Sequence, residues 1–526
     1  MICNLAVDLD ARSREVPERM GLAFEDGRQW TYAEWNDEAV NYAGALRSAG
    51  VVEGARVALF CQNSPELTFL LFGCWRLGAV PVAVSSMYGL SELQGCLDKT
   101  GPMLVVTDES RFALASGAHE HVRVVGSEHA AALDMVGTGD DIGSERPGLV
   151  DVPPDDDAAI LFTGGTTGEP KAVTVAAGGV RTALATLARA SKGGRDGPYR
   201  AAPESVSPNL LAWPLFHSGG QQALLFALHV GRAIVLLERF RPTSVAEAVA
   251  EYEIDNLFLL PTMVYDLQHS DPPVRLDSVR SVLIAGQAID PTLKREFEQN
   301  FGVPILSNYG STEMGHVAGW TAKDIRVGRW IPGSAGRVYD GVDVEVRDDG
   351  NVPLAPGADG VLWVRSTLTN GYVEGDCVDE LVVDGWVNSG DVGHLDTDGV
   401  LYLVGRARDM IKTSGFQVWP AEIERVLREH HFVADVAVIG VPDERRGEIP
   451  KAFVVPTSKA PELSVAAPEL IEFCRDRLAH FKQIRSVEFL DALPRSDAGK
   501  VQRAALVNEQ EPTATEPNQP MPEEAS

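Results

Sequence analysis

Leu161-Phe162-Thr163-Gly164-Gly165-Thr166-Thr167-Gly168-Glu169-Pro170-Lys171 follows an apolar run and gathers phosphate-binding chemistry into a few residues. Its glycines let backbone N–H groups crowd an anion, the threonine hydroxyls can bond phosphate oxygens or a metal-bound water, and Lys171 adds a positive charge. A nucleoside triphosphate is the natural guest. The spacing is not that of a Walker A loop: Glu169 and Pro170 separate Gly168 from Lys171, and Ala172 stands where Ser or Thr would follow. A P-loop NTPase is therefore disfavoured. A phosphate cradle and a plain glycine-rich turn both remain open on this stretch alone.

Outward from the loop, short apolar runs at 56–60, 103–106, 158–162, 209–212, 234–237, 256–260 and 281–285 alternate with helix-like segments. Thr31-Tyr32-Ala33-Glu34 has the form of a capping box before Trp35, Ala39, Tyr42 and Leu46 at helical spacing. Ser64-Pro65 opens a second, strongly apolar helix. Helices are also expected over 243–252 and 291–300. This rhythm predicts α/β layers with a largely parallel sheet.

From about 342 the pattern changes to alternating strands at 342–346, 361–364 and 400–403, separated by Asp-Gly turns, which predicts a small antiparallel barrel or sheet. Beyond Gly405-Arg406, a helix opened by Pro420, strands near 433–441 and 451–455, and a helix from Pro468 to Leu478 predict a small α+β domain. The resulting division is 1–408, 409–506 and a disordered acidic tail over 507–526, which holds five glutamates, four prolines and almost no large apolar residue.

The 526 residues suffice for two to four domains or subdomains, and the net charge of −29 without a basic block disfavours nucleic acid or an anionic membrane as partner. No run approaches the roughly 18 apolar residues of a membrane span. The N-terminus lacks the layout of an export signal, and six scattered cysteines without a CxxC pair suit a reducing compartment, so a cytoplasmic location is expected.

Several further stretches carry chemistry. Phe216-His217-Ser218-Gly219-Gly220 puts a histidine at the end of a strand, where it could orient a carboxylate, while the glycines would leave room for a substrate. Asn308-Tyr309-Gly310-Ser311-Thr312-Glu313 sets an aromatic platform four residues before a carboxylate suited to Mg²⁺. Asp391 suits ribose hydroxyls, Arg406 suits phosphate, and Lys500 sits on a glycine-containing loop, Pro494-Arg495-Ser496-Asp497-Ala498-Gly499-Lys500.

In this order the stretches resemble the adenylate-forming superfamily of acyl-CoA synthetases, aryl-CoA ligases, peptide-synthetase adenylation domains and beetle luciferases. The resemblance runs from about residue 10 to 503 and includes Gly405 to Asp409 and Gly415 to Glu424. It implies a two-step reaction. A carboxylate attacks the α-phosphate of ATP to give an acyl adenylate and pyrophosphate, and a thiol, by default that of CoA, then displaces AMP. By the same resemblance, Thr163 to Gly168 and Lys171 hold the triphosphate, Thr167 and Glu313 lie near Mg²⁺, and Gly286, Gln287, Ala288 and Asn308 to Thr312 border the nucleotide. Tyr309 lies against adenine, Asp391 binds ribose, and Arg406 contacts ribose or phosphate. Lys500 bridges carboxylate and phosphate, and His217 and Thr167 assist catalysis. The C-terminal domain turns about Asp409, which brings Gly415 in beside the pantetheine arm.

Gly164, Ala172 and Gln287 depart from the residues usual at those positions. No aspartate stands in Phe216 to Gly220 to anchor an amino acid's ammonium, which leaves an aryl or fatty acid. Ser218, Gln221, Gln222 and Gln287 could give a polar lining suited to a hydroxylated or amino-substituted aromatic acid. A separate carrier protein as thiol source, and activation of another oxyanion such as nitrite for transfer to an amine, are the alternatives.

Overall fold

The computed structural model describes residues 3–125, 147–163, 170–191, 206–373, 381–413, 416–443, 445–495 and 499–508. The chain divides into two compact units that part between Leu403 and Val404.

In the first unit, Thr31 caps the helix Tyr32–Ser48: its side chain accepts from the Glu34 N–H while the Glu34 carboxylate accepts from the Thr31 N–H. Ser64 likewise caps Pro65–Arg76, whose run of buried Leu, Phe and Trp side chains packs on the first helix. The Trp35, Phe72 and Trp75 rings meet edge to face between the two helices. The strand Arg56–Phe60 ahead of the second helix pairs in parallel with Val80–Ala83 on one side and Leu104–Asp108 on the other.

These strands belong to a seven-stranded sheet among the described residues, continued by Val122–Val125 at one edge. Toward the other edge come Asp157–Thr163, Lys171–Ala176 and Thr369–Tyr372, the last two antiparallel. A smaller sheet joins Gln29–Thr31, Met20–Phe24, Ile234–Leu236 and Asn209–Leu211.

The third sheet carries both expected patterns, parallel and antiparallel, in one run of strands. Asn256–Leu259, Ser281–Ile284 and Ile305–Ser311 pair in parallel, as the apolar runs imply. The antiparallel strands do not stand apart as a barrel of their own. Ile305–Ser311 turns back through Gly315–Gly319, and the sheet continues through Gly336–Val338, Val400–Arg406, Trp386–Leu395, Gly360–Arg365 and Asp343–Arg347. The join is made by one tight hairpin, Ser311 to Gly315, which local patterning cannot distinguish from a loop between two sheets.

In the second unit, Pro420–Arg428 packs Ile423, Val426 and Leu427 against the long hairpin Val433–Asp443 and Gly447–Pro456. Ser486–Phe489 adds to Gly447–Pro456 in parallel. The helix expected to open at Pro468 instead spans Leu463–Arg475 with Pro468 inside it. Its buried Ala466, Leu470 and Cys474 set a continuous face on both sides of the proline, so packing outweighs the one hydrogen bond that proline cannot donate. The last described helix, Arg503–Asn508, runs two residues past the expected start of the tail; the remainder of that tail lies outside the described residues.

Cys3, Cys61, Cys74, Cys96 and Cys474 are buried free thiols. Among the described residues no helix is long and apolar enough to cross a membrane.

Candidate active site

Thr163 ends its strand directly opposite Lys171 in the antiparallel register, so these two residues bracket the glycine-rich stretch. Gly164, Gly165, Thr166, Thr167, Gly168 and Glu169 lie outside the described residues. The Lys171 ammonium rests over the Tyr372 ring, 4.9 Å from its centre, and Lys99 donates to the Pro170 carbonyl at 2.9 Å.

The strand Asn209–Leu211 leads into Trp213-Pro214-Leu215-Phe216, and His217 occupies the N-cap position of the helix Ser218–His229. Buried Asn63 shapes this approach: its amide donates to the Trp213 and Leu237 carbonyls and its oxygen accepts from the Leu215 N–H. The Phe216 and His217 rings tilt together at 5.1 Å.

Gly219 and Gly220 do not leave the room expected of them. A β-carbon at Gly219 would lie 2.4 Å from the Trp213 ring, and one at Gly220 would lie 2.1 Å from the Pro214 carbonyl oxygen. The glycines are there because the chain folds back on itself, and the indole fills the space. Trp213 in turn stacks flat on Phe258 at 4.6 Å and donates from Nε1 to the Phe258 carbonyl. The result is a rigid aromatic wall at the carboxyl ends of the parallel strands, where α/β sheets place their ligands.

The glutamines also sit differently from expectation. Gln221 is buried and donates to the Leu215 carbonyl at 3.0 Å. Ser218, Gln221, Gln222 and Thr312 line, with Leu5 and Leu161, a cavity of about 20 Å³, which suits one or two waters and not the body of an acid. Gln287 is half-buried in the turn after Ser281–Ile284, beside Gly286 and Ala288, which are exposed.

The hairpin Ile305–Ser311 to Gly315–Gly319 brings several expected residues together. The Tyr309 hydroxyl donates to the buried Asp391 carboxylate at 2.7 Å, across 82 residues of chain. The Thr312 and Ser218 hydroxyls meet at 2.9 Å, tying the hairpin to the first turn of the His217 helix. Gly310 faces His316 across the hairpin, and Glu313 is half-buried at its tip, its N–H bonded to the Ser311 hydroxyl.

Asn308 anchors a network that sequence reasoning did not find. The Tyr339 hydroxyl donates to Asn308 Oδ1 at 3.0 Å, and Asn308 Nδ2 lies 3.0 Å from His316 Nδ1. A β-carbon at Gly319 would fall 2.0 Å from the Tyr339 oxygen, so glycine is required for the phenol to reach Asn308. Burial raises the Tyr339 pKa, and burial lowers that of His316 from 6.5 to about 4. The only local signal was a histidine three residues after Glu313.

In the second unit, Arg406 ends its strand and is half-buried. Asp409 closes a single helical turn, Ala407–Asp409, and pairs with Arg503, which also holds the buried Glu424 carboxylate at 2.6 Å. Gly415 lies outside the described residues; next to it, Phe416 is exposed and stacks on Phe481 at 4.4 Å. Lys500 is exposed, and its loop is braced by Arg495, which bonds both the Gly499 carbonyl and Asp435. Arg503 and Arg495 are the supporting residues that motif reading passed over.

Mg²⁺ is a hard cation, and the described donors near Tyr309, the Glu313 carboxylate and the Ser311 and Thr312 hydroxyls, are oxygens of the kind it takes. No group of three or more His, Cys, Asp or Glu residues able to hold a metal occurs among the described residues. The donor set therefore fits an ion held partly by phosphate.

Comparison with known proteins agrees with this geometry. The profile described as AMP-binding enzyme matches residues 9–373, and that described as AMP-binding enzyme C-terminal domain matches residues 422–500. A feruloyl-CoA synthase from Amycolatopsis sp is 32% identical over 90% of this chain and 93% of its own length. A 2-succinylbenzoate–CoA ligase from Bacillus licheniformis is 28% identical over 95% of this chain and 98% of its own. The crystal structure of ATP-bound MatB from Rhodopseudomonas palustris superposes with a TM-score of 0.86 at 26% identity, covering 97% of this chain and 99% of that one. The chain belongs to the AMP-binding enzymes, the adenylate-forming superfamily of AMP-forming ligases.

Proposed function

We propose that this enzyme activates an aryl carboxylic acid with ATP and passes the acyl group from AMP to the thiol of CoA. The observation that carries the reading is the Tyr309–Asp391 pair. It fixes an aromatic face and a carboxylate at one place, the two groups that adenine and ribose require. The flat Trp213–Phe258 wall near His217 favours a planar acid over a flexible alkyl chain.

The residue roles follow from charge and reach. Asp391 accepts the ribose hydroxyls, and the loop from Thr163 to Lys171 holds the phosphates. Glu313 and Thr167 would hold Mg²⁺, which would supply positive charge to offset that of the phosphates. Lys500 lowers the repulsion between the carboxylate and the α-phosphate in the first step. His217 orients the acid. The C-terminal domain, expected from residue 409 on, then turns about Asp409 so that Gly415 and its neighbours border the pantetheine arm while Lys500 withdraws. Buried free thiols support a reducing, cytoplasmic setting.

The test is pyrophosphate release with a panel of aryl and fatty acids and with nitrite, each with and without CoA. Acid-dependent release with consumption of CoA supports the reading. Release that leaves CoA untouched points to another acceptor, such as a carrier thiol or an amine. Nitrite dependence, or silence with every acid, overturns it.

A further inference from the structure

The Tyr339–Asn308–His316 network has a direction. Burial keeps the Tyr339 phenol protonated, so its O–H donates to Asn308 Oδ1 and orients the amide. The Asn308 Nδ2–H then points at His316 Nδ1, the shorter of the two contacts between these side chains, at 3.0 Å against 3.3 Å to Oδ1. A proton on Nδ1 would face the amide N–H head on. Nδ1 is therefore an acceptor, and the single ring proton is on Nε2.

That Nε2–H has no hydrogen-bond partner among the described residues. The ring is half-buried. It belongs to the hairpin whose Thr312 meets Ser218 beside His217 and whose Tyr309 meets Asp391. It stands opposite Gly310 in the hairpin register, where the Gly315 carbonyl leaves no room for a side chain. Two buried groups, Tyr339 and Asn308, thus hold one donor in a fixed tautomer, a degree of preparation that packing alone does not require.

We infer that His316 Nε2–H is a specificity determinant of the acid site: it selects acids that carry an uncharged hydrogen-bond acceptor, such as a ring hydroxyl, ether or carbonyl oxygen, away from the reacting carboxylate. This rests on the acid-activating reading above and supplies the polar contact that Gln221 and Gln222 do not. A neutral donor suits a neutral acceptor. A second carboxylate would lose its water there without a charge to meet it. An acid without an acceptor leaves the donor unsatisfied, which is how a polar site rejects an apolar isostere.

The experiment uses the full chain and matched pairs of acids in the benzoic and cinnamic series: 4-methoxy against 4-ethyl, 4-acetyl against 4-isopropyl, and the 4-carboxy acid. The reading is the ratio of kcat/KM for acid-dependent pyrophosphate release. The wild type is expected to favour the acceptor-bearing member by about 10-fold or more. In His316→Phe the ratio should collapse toward one, and in Tyr339→Phe it should fall part of the way as the amide loses its orientation. An unchanged ratio in His316→Phe, or a preference for the 4-carboxy acid, overturns the assignment. Release with no acceptor preference in the wild type overturns it while leaving the activation reading standing. Silence with every acid overturns both. Should His316→Phe not fold, ring-nitrogen NMR of the wild type and of Tyr339→Phe decides: a neutral Nε2–H tautomer supports the relay, and an Nδ1–H tautomer sinks it.

Discussion

The two units hold their functional residues in opposite ways. Before Leu403 they are set from within: Asp391 is buried under the Tyr309 hydroxyl, Asn308 lies between Tyr339 and His316, and Trp213 is clamped between Phe258 and Gly219. After Val404 they are held out: Lys500 and Phe416 are exposed, and the support comes from behind, through Arg495 on Asp435 and Arg503 on Glu424 and Asp409. A binding floor gains from fixed donors and acceptors whose reorganisation has been settled by folding. A residue that serves one of two half-reactions must instead remain free to engage and leave.

This contrast can be broken most sharply at Lys500. Lys500→Ala should lower the rate of adenylate formation about 10²–10³-fold, the usual loss for one aligned charge-stabilising group, while thioester formation from supplied acyl-AMP stays within about 3-fold. Being exposed, the residue should leave the thermal midpoint within about 1 °C. Equal loss in both half-reactions would remove the reason for holding this lysine on an outer loop.

Gly220→Ala should show the reverse. Its β-carbon would overlap the Pro214 carbonyl oxygen at 2.1 Å, a backbone atom with no rotamer to yield, so a loss of about 2–3 kcal/mol is expected in denaturant melts. A stable variant with only altered KM would mean that the turn before the His217 helix is softer than the packing implies.

A third test is pH. His316 has a folded pKa of about 4 against 6.5 in the free side chain, so only the unfolded chain takes up this proton between those values. Stability is therefore whole above about 6.5 and falls as the pH drops toward about 4, by up to roughly 2–3 kcal/mol from this group. His316→Phe should flatten that part of the profile in melts at pH 7, 5.5 and 4.5. An unchanged slope would place the ring in water in the folded protein.

The smallest effect is expected for Tyr309→Phe, which keeps the aromatic face and removes one bond to a carboxylate. A loss of about 1–2 kcal/mol should appear as a rise in KM for ATP with little change in kcat. A pure kcat effect would argue that Tyr309 acts in the transition state and not in nucleotide binding.

The helices capped by Thr31 and Ser64 and the parallel strands were legible because their signals are local: a cap, a proline, a period. The motif residues were legible as chemical types in a given order. Their supports were not. Nothing in the spacing of Asn308, His316 and Tyr339 announces a relay, and Gly219 reads as open space until Trp213 is seen lying on it. The helix Leu463–Arg475 runs through Pro468 because a buried face overrode a local stop signal.

By itself the sequence determined the class of chemistry, since hydroxyls, glycines, carboxylates and a late lysine in a set order describe a nucleotide-using ligase wherever they end up in space. Only the tertiary structure decided which of those groups touch. Tyr309 and Asp391 are 82 residues apart and 2.7 Å from bonded atom to bonded atom, and the hairpin that turns a parallel sheet antiparallel at Ser311 is what brings Thr312 to Ser218. The physical reason is that a hydrogen bond depends on position to within a few tenths of an ångström, whereas residue order constrains position only through everything packed between.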